Sequence, residues 1–276
     1  MTGRRRAAVL GKPIAHSLSP VLHRAAYAAL GLDWDYAPVE CDEAGLPAFL
    51  ARLGDEWAGL SLTMPLKKAV LPLLDEVSPL ARQVGAANTV LFPDGARHGA
   101  RRGDNTDVPG MVAALRDRGV HSVHRALVLG AGATAASALA ALREVGEYEP
   151  RVAVRDPARA RDLLAAAERL GVRPHLVPWH TADPRDADLV LATTPAGVAD
   201  ALAEAPWPPG TVLFDVVYAA WPTRVASVAA DAGAVVVGGL DLLVHQAALQ
   251  VSLMTGRPAP LAAMRAAGER AVAGAG

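Results

Sequence analysis

A glycine turn between an apolar run and a helical pattern is the feature of this sequence best suited to binding a ligand. The apolar run Ala126–Leu129 predicts a buried strand, and the turn Gly130–Ala133 follows it directly. Gly130 permits a tight turn, Gly132 lets the backbone approach a pyrophosphate, and the next helix offers free N–H groups at its positive end. With Ala135 as the third small residue, the pattern predicts dinucleotide binding; a structural turn in an unrelated α/β domain is the alternative.

Two arginines after the next predicted strand indicate which dinucleotide is bound. Arg155 directly follows Arg151–Val154, and Arg159 lies one helical turn further on. An acidic side chain here would take the ribose 2′-OH of NAD, whereas arginine takes the 2′-phosphate of NADP. The sequence therefore favours NADP, with ordinary surface arginines as the alternative. Asp156, which precedes Pro157, is interpreted as a helix N-cap, but its carboxylate puts strict preference for NADP in doubt.

Lysine is rare in this chain, which makes each lysine informative. Among 27 basic residues, the only lysines are Lys12, Lys67 and Lys68. Lysine can lose its proton near neutral pH in a suitable site, whereas arginine cannot. Lys67 ends the segment Leu62–Lys67, at a predicted junction between a strand and a helix. It is therefore a candidate acid–base residue, with a plain surface cation as the alternative.

Polar side chains collect after the predicted strands of the first hundred residues. Each segment alone fits turn or capping chemistry, and Asp107 could be the N-cap of a helix that begins near Val108. Together they predict a pocket rich in hydroxyl, amide and carboxylate groups, suited to a polyhydroxylated acid. The segments are His16–Ser19, Ser61–Lys67, Asn88–Thr89 and Gly103–Asp107.

Strands alternate with helices along the chain, which predicts an α/β fold with a mainly parallel sheet. We expect two domains: a substrate-binding α/β domain in 1–107 and a Rossmann-like dinucleotide-binding domain in 108–237. Residues 238–276 are expected to be helical and to return to the first domain. A helix capped by Ser19 is predicted to run to Gly31. The predicted strands are Ala7–Leu10, Trp34–Val39, Gly59–Leu62, Ala87–Phe92, Ala126–Leu129, Arg151–Val154, Val172–Val177, Asp188–Ala192, Val212–Asp215 and Ala234–Val237.

The composition excludes several classes of protein. Hydrophobic residues make up 52% of the 276 residues, which is enough apolar surface for a packed core and excludes disorder. A formal net charge of −1 argues against nucleic acid or an anionic membrane as the partner. The apolar runs fall short of the roughly 20 residues that span a bilayer. We therefore expect a cytoplasmic protein with a small-molecule substrate.

Neither cysteine nor histidine predicts a metal site. Cys41 is the single cysteine, which excludes an internal disulfide framework and any cysteine-cluster metal site. The eight histidines show no metal-ligand spacing, so no metal is expected. Four of them are interpreted as surface or loop residues: His23, His121, His124 and His180.

Taken in order, the polar and glycine segments resemble the signature segments of the shikimate dehydrogenase family. The resemblance implies reversible reduction of 3-dehydroshikimate to shikimate by NADPH, in the pathway to aromatic amino acids. It also implies a discontinuous substrate domain and a Rossmann domain, with the active site in the cleft between them. The segments are Gly11–Pro20, Leu62–Lys67, Gly85–Thr89, Gly103–Asp107, Gly130–Gly132, Ala192–Gly197 and Leu242–Gln246.

The resemblance also implies a role for individual residues. Lys67 would be the catalytic acid–base, and Asp107 would hold it in place. The substrate carboxylate would be bound by Ser17 and Ser19, with Tyr218 lining the carboxylate end. The ring hydroxyls would be bound by Thr63, Asn88, Asp107 and Gln246. The cofactor would be bound by Gly130, Ala131, Gly132, Ala133, Arg155, Arg159, the main chain near Val216, and Gly239 near the nicotinamide.

The sequence departs from the family pattern at several positions. Ser61 stands where many members have Asn, and Asp156 where Ser or Thr often follows the phosphate-binding arginine. The stretch between Asn88 and Asp107 is slightly longer than usual and predicts a surface hairpin.

Two other functions remain open: an NAD-dependent quinate/shikimate dehydrogenase, and a ligand-binding regulator that has lost catalysis. Retention of both Lys67 and Asp107 argues against the regulator. The oligomeric state is open, with a homodimer as one option.

Overall fold

A computed structural model describes residues 4–97 and 99–274. The chain divides into two compact units. The first contains the residues up to Thr106 together with those from Leu243 onward, and the second is Asp107–Leu242. Both units combine helices with a six-stranded sheet, so the predicted α/β class is confirmed.

The first unit has a mixed sheet with strand order β2-β1-β3-β5-β6-β4. Strand β1 pairs in parallel with β2 and β3, whereas β5 runs antiparallel to β3 and β6. Every residue of β3 is buried, because helices and loops cover both of its faces. The strands are β1 (Arg5–Gly11), β2 (Trp34–Glu40), β3 (Trp57–Leu62), β4 (Glu76–Val77), β5 (Thr89–Leu91) and β6 (Arg102–Asp104). The helices between them are α1 (Ser19–Ala29), α2 (Leu46–Ala51), α3 (Leu66–Ala69) and α4 (Pro79–Val84).

The second unit has a parallel sheet with strand order β12-β11-β10-β7-β8-β9. Chain order reverses between β7 and β10, and α/β proteins bind ligands at the carboxyl ends of strands beside such a reversal. The strands are β7 (Ala126–Leu129), β8 (Arg151–Val154), β9 (His175–Pro178), β10 (Leu189–Ala192), β11 (Val212–Asp215) and β12 (Val235–Gly238). The helices are α5 (Asp107–Asp117), α6 (Ala133–Glu144), α7 (Arg161–Leu170) and α8 (Arg224–Asp231).

Two helices complete the chain: α9 (Gly239–Thr255) and α10 (Leu261–Ala273). Helix α10 packs against α1 in the first unit. Among the described residues, no helix has both the length and the apolar character needed to cross a membrane. Within the same residues, no three His, Cys, Asp or Glu side chains are grouped closely enough to hold a metal ion.

Some element bounds differ from those that the sequence predicts. The predicted strand Val172–Val177 is observed as His175–Pro178, because Gly171 adopts a left-handed conformation and Val172 still bonds back to the preceding helix. The predicted Ser19 cap is wrong: the cap position is Leu18, and Ser19 is the first helical residue. The helix that Asp156 is predicted to cap begins as a 3₁₀ turn, Pro157–Ala160, before α7.

Candidate active site

The carboxyl ends of β1 and β3 are joined by backbone hydrogen bonds. Thr63 N–H donates to Leu10 O at 2.9 Å, and Lys12 N–H donates to Met64 O at 3.0 Å. The two segments come so close that a Cβ on Gly11 would overlap the Thr63 methyl group. Glycine is therefore required at position 11, and the close approach fixes Thr63 at the strand end.

Lys67 and Asn88 are held beside the same strand end. Lys67 lies in α3, and its carbonyl accepts a hydrogen bond from Ala87 N–H at 2.8 Å. The Asn88 carbonyl accepts one from Leu62 N–H, the residue before Thr63, at 2.7 Å. The structure thus brings the backbones of Thr63, Lys67 and Asn88 together, as the sequence-based site requires.

The other two lysines have different surroundings. Lys12 forms an exposed ion pair with Asp42, with Nζ and Oδ2 3.1 Å apart. The hydrogen bond to Asp42 raises the pKa of the Lys12 ammonium. Lys68 lies next to Lys67 on the short helix α3. Lys12 is therefore accounted for by an ordinary surface pair.

Asn88 and Gln246 form a buried amide pair. Thr106 N–H donates to Asn88 Oδ1 at 2.8 Å, so that atom must be the oxygen. Asn88 Nδ2 donates to Gln246 Oε1 at 3.2 Å, and Gln246 Nε2 donates to Leu243 O at 3.2 Å. Backbone groups at both ends therefore fix the orientation of both side-chain amides. Asp107 follows Thr106 directly and begins α5.

The two predicted carboxylate ligands lie where α1 begins. Ser17 Oγ accepts a hydrogen bond from Ser19 N–H at 3.3 Å. Ser19 is buried. The Tyr36 hydroxyl donates to Ser61 Oγ at 2.7 Å. Burial raises the pKa of the Tyr36 phenol, so Tyr36 stays protonated at neutral pH.

The glycine turn of the second unit has the geometry needed for a phosphate. Gly130 has a φ of 106° and donates to Ala153 O, which sets the turn at the end of β7. Gly132 is the N-cap of α6, and a Cβ there would meet nothing within 4 Å. Thr194 lies against Gly130, and its buried Oγ1 has no hydrogen-bond partner among the described residues. An unused hydroxyl, open space and a helix N-terminus together fit an anionic phosphate group.

After β8, the acidic residue Asp156 and the arginines Arg155 and Arg159 have different surroundings. Asp156 Oδ1 accepts a hydrogen bond from Ala158 N–H at 2.9 Å, so the predicted N-cap is confirmed. Its carboxylate therefore has a structural partner. Arg155 and Arg159 are both exposed. Two exposed cations and an engaged carboxylate fit a 2′-phosphate better than a bare ribose hydroxyl.

The segment after β11 is anchored by a buried carboxylate. Asp215 accepts hydrogen bonds from Val217 N–H at 3.1 Å and from Thr223 Oγ1 at 2.7 Å. Burial raises the pKa of the Asp215 carboxyl. A Cβ on Gly239 would overlap the Val216 carbonyl, so only glycine fits there. Val216 and Gly239 therefore meet in the second unit, which also contains Tyr218.

The interpretation of His23 as a surface or loop residue is wrong. His23 is completely buried on α1, stacked on Tyr36 with ring centroids 3.9 Å apart. Desolvation lowers its pKa to about 3, so it is neutral at physiological pH. Its spacing from Ala26 and Tyr27, three and four residues on, was the available signal, because such positions share one helix face. Gln250, a partner of His23, was also missed.

The sheet order and glycine turn of the second unit define a Rossmann-type dinucleotide-binding fold, and the first unit adds a lysine whose backbone lies beside those of Thr63 and Asn88. Residues 9–90 match the shikimate dehydrogenase substrate binding domain, and residues 239–267 match the shikimate 5′-dehydrogenase C-terminal domain. An NADP(+) shikimate dehydrogenase of Thermus thermophilus is 40% identical, over 97% of this chain and 98% of that protein. The chain belongs to the shikimate dehydrogenase family, which confirms the resemblance.

Solved structures agree with this assignment. Mycobacterium tuberculosis shikimate dehydrogenase is 41% identical and superposes with a TM-score of 0.84, over 96% of this chain and 99% of that one. A Thermus thermophilus enzyme, solved in complex with NADP(H) and shikimate, is 38% identical with a TM-score of 0.83. That match covers 97% of this chain and 99% of the other. The fold is thus shared across the whole length of these relatives.

Proposed function

We propose that this chain catalyses the reversible NADPH-dependent reduction of 3-dehydroshikimate to shikimate, a step towards aromatic amino acids. One observation carries the proposal: backbone hydrogen bonds gather Thr63, Lys67 and Asn88 at one strand end. Gln246 joins them through the amide of Asn88. A lysine among hydroxyl and amide groups suits a polyhydroxylated ketone that must receive a proton.

The substrate is proposed to be bound by polar groups of defined orientation. Asn88 and Gln246 suit ring hydroxyls because an amide both donates and accepts, as a hydroxyl does. Thr63 contributes a hydroxyl of its own. The substrate carboxylate is assigned to Ser17 and Ser19, and Tyr218 is assigned to the carboxylate end on the family resemblance.

The proton chemistry is assigned to Lys67. Bound NADPH supplies a hydride to the ketone carbon. In that direction the Lys67 ammonium donates a proton to the developing alkoxide, and in oxidation the neutral amine takes it back. Asp107 is proposed as the second catalytic residue, whose carboxylate would hold the ammonium of the lysine in place by charge attraction.

The cofactor is proposed to bind the second unit with its phosphates at the glycine turn. The 2′-phosphate is assigned to Arg155 and Arg159, and the nicotinamide end to the backbone near Val216 and Gly239. The pyrophosphate would lie against Gly130, Ala131, Gly132 and Ala133. A cytoplasmic location suits a reaction between two small water-soluble compounds. Light scattering of the purified protein would decide whether it is a homodimer.

The decisive experiment follows absorbance at the reduced-nicotinamide band when purified protein is mixed with shikimate and NADP. NAD and quinate are tested in parallel. We expect reduction to be fastest with shikimate and NADP. No absorbance change at any pH would instead support a non-catalytic regulator, and faster reduction with NAD and quinate would support a quinate/shikimate dehydrogenase.

A further inference from the structure

A chain of buried hydrogen bonds runs behind the proposed substrate pocket within the first unit and ends at Asn88. All of its members are nearly inaccessible to solvent. We call it the buried chain, and in order its members are Tyr36, Ser61, Gln250, Thr89 and Asn88. Asn88 is a proposed substrate ligand, whereas the other members have no role assigned so far.

The orientation of Gln250 is fixed by a backbone group. Gln250 is 1% exposed, and its Nε2 lies 3.2 Å from the carbonyl oxygen of Asn88. A carbonyl can only accept, so that atom must be the nitrogen. Nε2 also donates to Thr89 Oγ1 at 3.0 Å. Oε1 is consequently an acceptor, and Ser61 Oγ lies 2.7 Å from it.

This orientation sets the direction of the hydrogen bond from Tyr36. Ser61 donates its only hydroxyl proton to Gln250, so it must accept from the Tyr36 hydroxyl at 2.7 Å. The Tyr36 hydroxyl thus holds that of Ser61 in the orientation that donates to Gln250.

The same amide sets the direction toward Asn88. Thr89 Oγ1 accepts from Gln250 and therefore donates to Asn88 Oδ1, at 2.9 Å. That donation agrees with the Thr106 N–H, which also points at Asn88 Oδ1. The Asn88 Nδ2 group is left facing Gln246. Gln250 thus supports Asn88 in two ways, through the Asn88 backbone carbonyl and through the Thr89 hydroxyl.

His23 holds the amide of Gln250 in place from the side. Its Nε2 lies 3.3 Å from Gln250 Oε1, and because Oε1 accepts, Nε2 must carry the ring proton. Nδ1 is then the acceptor for the Tyr27 hydroxyl, at 3.3 Å. Every direction assigned around Gln250 is mutually consistent, which is expected of a fully satisfied buried network.

We propose that Tyr36, Ser61 and Gln250 are positioning residues, which hold Asn88 in place for its hydrogen bonds to the substrate. This inference rests on the proposed function and extends it to residues behind the pocket. Ser61, a departure from the family pattern, has a defined part in it: its hydroxyl is small enough to relay between Tyr36 and Gln250.

The test uses steady-state kinetics of the full-length protein with four variants. Tyr36→Phe and Ser61→Ala each remove one hydroxyl of the buried chain. Each should raise the KM for shikimate by about tenfold, the upper range for one lost hydrogen bond, and leave the KM for NADP unchanged. Tyr36→Phe/Ser61→Ala should equal the more damaging single variant, because either change breaks the same chain. Thr211→Val, which removes a buried hydroxyl in the second unit, should leave the KM for shikimate unchanged.

The outcomes separate this inference from the proposed function. A wild-type protein that does not oxidise shikimate overturns the proposed function. An active wild type overturns only the positioning role in three cases: if the single variants keep its KM for shikimate, if they raise both KM values equally, or if the double variant shows the product of the two effects. Should one single variant fail to fold, calorimetric titration of the other with shikimate decides by the same criterion.

Discussion

The carbonyl of Lys67 accepts a hydrogen bond from the backbone N–H of Ala87 at 2.8 Å. Ala87 precedes Asn88, so this one bond holds the proposed proton donor next to a proposed substrate ligand. Lys67 and Ala87 lie about twenty positions apart along the chain, and helix α4 lies between them in sequence.

The first prediction concerns this lysine. Lys67→Ala should lower turnover by about 10²–10⁴, the usual contribution of acid–base assistance, and leave the KM for shikimate nearly unchanged. Steady-state kinetics would measure both, and Lys68→Ala is the matched control because it removes the adjacent cation. Near-normal turnover in Lys67→Ala would remove this residue from the mechanism.

The second prediction concerns the charge of Asp107. The structure places Asp107 as the first residue of α5, where it is buried, so the alternative that it caps the helix is wrong. Asp107→Asn keeps the size of the side chain but loses the charge. We expect an unchanged melting temperature and a turnover lower by about 10², the low end for acid–base assistance. Asp117→Asn, at the exposed end of the same helix, is the control. Full activity of Asp107→Asn would remove the charge of Asp107 from the mechanism.

The third prediction concerns the glycine turn. A Cβ at Gly132 meets nothing within 4 Å, so Gly132→Ala should leave thermal stability unchanged and weaken NADP binding, because the methyl group would occupy the phosphate's place. Gly130→Ala should instead destabilise the fold, since its φ of 106° is unfavourable for alanine. Calorimetry and cofactor titration would measure these effects. Unaltered NADP affinity in Gly132→Ala would place the pyrophosphate elsewhere.

The fourth prediction concerns cofactor preference. Arg155→Ala should reduce kcat/KM for NADP by about tenfold to a hundredfold, the loss expected for a hydrogen bond to a charged group. The value for NAD should change little, so the ratio of the two is the measurement. Arg161→Ala, an exposed arginine at the start of α7, is the control. An equal fall with both cofactors would contradict 2′-phosphate recognition.

The fifth prediction follows from the buried histidine. The pKa of His23 is about 3 in the folded protein against an ordinary 6.5, so the unfolded chain binds more protons between these values. The contribution of neutral His23 to the unfolding free energy is complete above pH 6.5 and is lost as pH falls toward 3. His23 should account for about 2 kcal/mol of lost unfolding free energy at pH 5 relative to pH 7. Urea denaturation of His23→Gln should show that much less pH dependence, whereas exposed His121→Gln should match the wild type. An equal change of unfolding free energy with pH in all three proteins would show that His23 is not buried as a neutral ring.

Much of the fold could be predicted because its signals are local. The strands Ala126–Leu129, Arg151–Val154 and Val212–Asp215 were predicted with the observed bounds, since each is a short apolar run between turn residues. Asp156 was correctly predicted as a cap, because the capping bond reaches only two residues along the chain. Strands β4 and β6 were missed, since two or three residues carry no periodicity.

The sequence by itself determined the glycine turn, the arginines after β8 and the polar segments at strand ends, because turn chemistry and apolar runs act between neighbours along the chain. Only the tertiary structure decided that His23 is buried and that Ser61 relays between Tyr36 and Gln250. The partners His23 and Gln250 lie 227 positions apart, and Ser61 and Gln250 lie 189 apart. Burial and hydrogen-bond direction depend on which distant groups the packed core brings into contact, and no local pattern encodes that pairing.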